Sequence, residues 1–253
     1  MKKILLVLAL IALSVFMLAS CTAVVVDEAV ENDDVKVDEA DVAPEVAPEA
    51  AEEKVMTYAE YVAAELESEV VIDAYVQGKR SWWDNKATVY TQDEDGAYFL
   101  YEMACSEEDY ALLENGTHIK VKGYKAEWAG EVEIVDATFE IIEGNFIAEA
   151  VDATAWLGTD ELALHQNEVV AFKGMTVESV SYKNGEPGDD IYVTFSKDGA
   201  TYDFCVEYYL TGTETEVYKA VGELEQGDVV DVEGFLYWYN GPNTHITSVA
   251  IAE

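Results

Sequence analysis

The sequence predicts an all-β protein with short helices, arranged as two tandem five-stranded barrels behind a disordered acidic tether. Three observations carry that expectation. First, LENGTHIKVKGYKAEWAG at 113–130 lies over LEQGDVVDVEGFLYWYNG at 224–241 without a gap, with six of eighteen positions identical and four close exchanges. Second, Ile119 and Val121 match Val230 and Val232, while Lys120 and Lys122 become Asp231 and Glu233. Alternate positions that stay apolar while their neighbours reverse charge describe a strand with one buried and one wet face. Third, one order of elements can be traced twice, over 56–143 and again over 166–253.

The first 54 residues belong to neither copy. Lys2 and Lys3 precede an uncharged run from Ile4 to Val26 whose first half reads as the apolar core of a secretory signal. Leu18-Ala19-Ser20-Cys21 then resembles the lipobox of bacterial lipoproteins at all four positions. The resemblance implies a signal peptide over 1–20, lipidation of Cys21 and export of the remainder of the chain. It also implies a partner and an address: a membrane held through the lipid anchor, and a place on the extracytoplasmic face of the cell membrane. An uncleaved transmembrane helix is the alternative, since 23 uncharged residues are long enough to span a bilayer. Residues 22–54 carry 12 acidic and 2 basic side chains around VAPEVAPEA and read, with Cys21, as a disordered stalk over 21–54.

Module 1 is expected over 56–143. Thr57 with Glu60 forms the pattern of a capping box opening a short helix, and Tyr58, Val62 and Leu66 share a face. Strands are expected at 69–77, 87–92, 97–104, 118–124 and 132–142, with Asp95-Gly96 turning the second into the third. Ser106 with Asp109 caps a short helix over 107–113. Three strands, a helix and two strands is the order of the partly open barrel called the OB-fold, and the module resembles small OB-like modules of bacterial lipoproteins.

A linker over 144–165 comes next, with a helix starting at Thr159 or Asp160 and running to His165. Module 2, over 166–253, restarts at Glu168-Val169-Val170, echoing Glu69-Val70-Val71, and places strands near 190–197, 200–208, 228–236 and 244–252. Asp198-Gly199-Ala200 repeats the Asp95-Gly96-Ala97 hairpin, and a helix is expected over 214–224.

Candidate chemistry concentrates in loops. GKRSWWDNK at 78–86 holds Lys79, Arg80, Trp82 and Trp83; adjacent tryptophans on a strand face opposite ways and do not enter one core. In an OB barrel the loops joining strands one to two and four to five lie together and bind oligonucleotides or oligosaccharides. Trp128 occupies the second of these in module 1; Tyr182, and then Tyr237, Trp238 and Tyr239, occupy the two loops of module 2. Such rings suit sugar or aromatic ligands by stacking. The alternative is that they plug barrel ends or pack module against module.

Catalysis is not expected. There is no HxxxH, CxxC or GxSxG, no metal or cofactor is indicated, and His118, His165 and His245 read as surface or capping residues. Cys105 and Cys205 fall in different modules and do not align in the repeat, so a disulfide between them is the lesser expectation. Beyond residue 54 the chain has 40 acidic and 10 basic side chains, which sets nucleic acid aside as a partner on charge alone. The expected function is binding or scaffolding at the cell envelope, for a glycan or other envelope ligand. A purely structural protein with an unknown protein partner is the alternative.

Overall fold

A computed structural model describes residues 53–252. The signal segment, Cys21 and nearly all of the stalk lie outside the described residues.

The first barrel contains helix α1 (Tyr58–Ala63), strands β1 (Glu69–Lys79), β2 (Lys86–Gln92) and β3 (Ala97–Ala104), helix α2 (Glu107–Leu112), and strands β4 (Thr117–Trp128) and β5 (Glu131–Asn145). It closes in the order β1-β2-β3-β5-β4, with β3 and β5 parallel and every other pair antiparallel. This is the OB-like connectivity. The capping box at Thr57 forms with both reciprocal hydrogen bonds, and the Ser106 hydroxyl accepts from the Asp109 amide to cap α2.

The second barrel repeats each of these pairings. Strands β7 (Val169–Tyr182), β8 (Ile191–Lys197), β9 (Ala200–Val206), β10 (Val229–Phe235) and β11 (His245–Ile251) close in the order β7-β8-β9-β11-β10, with β9 and β11 parallel. Helices α3 (Tyr208–Thr211) and α4 (Glu216–Gly222) stand between β9 and β10, where the first barrel has only α2. The expected linker is structured. Strand β6 (Val151–Asp152) pairs parallel to β7, short 3-10 turns cover Thr154–Trp156 and Leu162–His165, and Ala153 and Leu162 enter the second core. The helix expected from Thr159 or Asp160 shrinks to the second of those turns, which has no side-chain cap.

The duplicated stretch occupies matching places. Ile119, Val121, Val230 and Val232 are all fully buried, each pair in its own core. The shared glycines Gly123 and Gly234 admit the neighbouring strand. A Cβ on Gly123 would stand 2.9 Å from the Val135 carbonyl oxygen, and one on Gly234 would collide with the His245 carbonyl oxygen. The described residues form one compact unit, so the barrels meet along a seam rather than hanging as separate beads.

Candidate binding cleft at the seam of the two barrels

The seam is built from side chains that single-barrel patterning would put on the outside. Tyr90 of β2 and Phe99 of β3 meet Phe235 and Tyr237 from the end of β10 and the loop after it, and all four are buried. Tyr90 and Phe235 stack with ring centres 4.3 Å apart. His245 stacks on Tyr237 at 4.4 Å, and its Nδ1 lies 2.7 Å from the Tyr90 hydroxyl. Burial pushes the His245 pKa well below its ordinary value and that of Tyr90 well above. The ring is therefore neutral and the phenol protonated, and the two share one hydrogen bond. His245 is thus a seam residue, which corrects its expected place at the surface.

Charged groups fill the rest of the seam. Arg80, just past β1, lies over Phe99 at 5.4 Å, and its Nε is 3.1 Å from Glu207 Oε2. Burial works against the Arg80 charge, but Tyr90 and Glu207 outweigh it and hold the guanidinium protonated. Burial raises the pKa of Glu207, with Arg80 pulling the other way. Glu131 is fully buried, accepts from the Asn167 side-chain amide and the Trp238 backbone amide, and is still pushed up to about 8 by burial. Glu133, one step along the same face of β5, is also raised by burial.

Two clefts open along this seam and share Arg80 and Tyr101. One, of about 310 Å³, is lined by Trp82, Trp83, Lys86 and Tyr209. The other, of about 610 Å³, is lined by Trp128, Glu133, Asp190, Glu207, Tyr237 and Tyr239, among others. At its rim the equivalent turns of the two copies touch: Asn240 donates its amide to the Ala129 carbonyl at 2.7 Å, and Trp128 faces Tyr239 at 5.3 Å.

The residues singled out from the sequence divide. Arg80, Trp82, Trp83, Trp128, Tyr237 and Tyr239 all border the two clefts. Trp83, Trp128 and Tyr239 are exposed, whereas Trp82 donates its indole N–H to the Cys105 carbonyl and Tyr237 is seam packing. Three stand elsewhere. Lys79 donates to the Tyr110 carbonyl and lies 3.9 Å over that ring; Tyr182 packs on the second core; Trp238 packs there too and borders a separate groove. Sequence reasoning missed Tyr101, Glu133, Tyr192 and Glu207. A signal existed in Glu131-Val132-Glu133-Ile134, where strand alternation puts two acids on one face. Cys105 and Cys205 are buried free thiols.

No protein-family model matches the chain, and neither does any curated protein. Solved structures do, at low similarity. A murine DNA-binding protein bound to double-stranded DNA is 10% identical, with 72% of this chain and 96% of that one covered and a TM-score of 0.36. A replication protein A heterotrimer bound to single-stranded DNA is 13% identical, covering 74% and 49%, with a TM-score of 0.29. Asparaginyl-tRNA synthetase from Pyrococcus horikoshii is 17% identical, covering 42% and 22%, with a TM-score of 0.31; this chain thus spans about a fifth of that one. The expectation that charge alone sets nucleic acid aside as a partner is corrected. Net charge averages over the whole surface and does not describe one cleft.

Proposed function

We propose that this chain is a bacterial lipoprotein anchored through Cys21 on the extracytoplasmic face of the cell membrane, whose paired barrels act as one binding module and not as an enzyme. The ligand enters the seam and stacks on its aromatic rings. The observation that carries the reading is the convergence of two aromatic-lined clefts on Arg80 and Tyr101, with Trp83, Trp128 and Tyr239 left exposed at their borders. A concave site with aromatic walls and a few fixed charges is the usual form of a ligand pocket. An envelope glycan suits it, because pyranose faces stack on indole and phenol rings while the charges orient hydroxyls.

Titration of the full chain in detergent with muropeptides, chitin oligomers and single-stranded oligonucleotides, followed by tryptophan emission, tests this. Saturable quenching by a glycan, weakened in Trp83→Ala and Trp128→Ala, is expected. A flat response to the whole panel at millimolar concentration rejects the site, and a response to the oligonucleotide alone replaces the ligand class. For the anchor, metabolic labelling with a radioactive fatty acid should mark the wild type and miss Cys21→Ser; equal labelling of both removes the lipoprotein assignment.

A further inference from the structure

The larger cleft holds three acids, and two of them have partners. Asp190 takes the Lys183 ammonium at 2.9 Å and the Tyr208 amide at 3.0 Å, and Glu207 faces Arg80 at 3.1 Å. Behind them Glu131 accepts two N–H groups. Glu133 is different. It is only 7% exposed, it lines the cleft, and among the described residues its carboxylate has neither a hydrogen bond nor an ion pair. Carboxylates removed from water are ordinarily paired, because desolvation without a partner is costly. Arg80 lies near enough to oppose the effect of burial on Glu133, but its Nε faces Glu207.

We propose that the seam cleft takes a sugar ring carrying a free ammonium group, with Glu133 as the counter-ion and Trp128 and Tyr239 as the stacking surface. This rests on the reading of the seam as the binding site. A cation arriving beside Glu133 meets a charge that folding has already partly desolvated, in surroundings where attraction is stronger than in water. Tyr101 and Tyr192 also border the cleft. The sugar is argued from the rim. Trp128 and Tyr239, with ring centres 5.3 Å apart and tilted by 34°, pack against each other and both stay exposed, so a sugar face can lie on the open side of either ring. The cleft volume of about 610 Å³ fits a small-molecule site.

The test is a calorimetric titration of the full chain in detergent at pH 6 with three probes: a glucosamine tetramer, an N-acetylglucosamine tetramer, and N-acetyl-lysine methylamide. The glucosamine tetramer is expected to bind at least tenfold more tightly than either other probe. Glu133→Gln is expected to bring the ratio between the two tetramers near one. Equal affinity for both tetramers overturns the ammonium proposal while leaving the seam as a glycan site. Tight binding of the lysine probe overturns the sugar in favour of a basic peptide. A ratio that survives Glu133→Gln overturns the role of Glu133, and silence from all three probes sinks both this inference and the glycan reading. If the variant does not fold, the wild-type ratio still decides the ammonium, and Trp128→Ala, expected to weaken both tetramers, tests the platform.

Discussion

Glu131 is the residue through which the seam responds to pH. Its carboxyl titrates near 4.3 in an unfolded chain and is pushed up to about 8 here by burial. The folded protein therefore holds this proton more tightly than the unfolded chain does. The stability it contributes is complete below about pH 4.3 and is lost as pH rises through about 8. His245 acts in the opposite sense, because its lowered pKa costs stability as pH falls below about 6.5. Comparing Glu131→Gln with the wild type isolates the first effect: in urea melts the variant should gain on the wild type between pH 5 and pH 8. A difference that stays flat across that range contradicts the assignment. Arg80→Met leaves Glu207 buried without its cation and should destabilise by the lower end of about 3–5 kcal/mol, since some solvent still reaches the pair. Gly234→Ala should cost about 1–3 kcal/mol because β11 backbone must move. The shared glycine was visible in the repeat, but its cause was not. His245 was misplaced because the group that buries it, Tyr90, is 155 residues away in sequence.

Among the elements, α1 shows how a helix of six residues is held. Thr57 and Glu60 close its start, while Lys125 of β4 donates to the carbonyls of Tyr61, Val62 and Ala64 at 2.9–3.0 Å and so closes its end. Lys125→Met should raise amide exchange in α1 well above that in β1, and should cost roughly 1.5–3 kcal/mol; unchanged protection of α1 would show the lysine to be incidental. The start of this helix was legible because a capping box is local in sequence. Its end was not, since Lys125 reads as an ordinary strand residue. Strand positions read well wherever one face is core, as at Ile119 and Val121, because a period of two survives reversal of the outward charges. Helix α3 escaped notice: it has four residues, no side-chain cap, and ends at Gly212 with φ +80°.

For the whole molecule, the seam makes two barrels one compact unit. Calorimetry of the described region is expected to show a single transition, and Phe235→Ala, which removes the ring stacked on Tyr90, should split it into two. Two transitions already in the wild type would mean that the seam contributes little. The duplication was readable from the chain, but the cleft was not, because the aligned pair Tyr124 and Phe235 have opposite fates. Tyr124 is exposed, and Phe235 is buried against the other copy. No single-barrel pattern separates them. That difference has a consequence for assembly. The seam joins the β2–β3 face of one copy to the β10 end of the other, which is a heterologous contact. Cut into separate chains, units joined in this way would add head to tail, a third to the second and a fourth to the third, and would close only where the rotation between them completes a ring. Covalent fusion fixes the count at two, and a hydroxyl-tipped ring at the unused end leaves growth of a filament without its anchor.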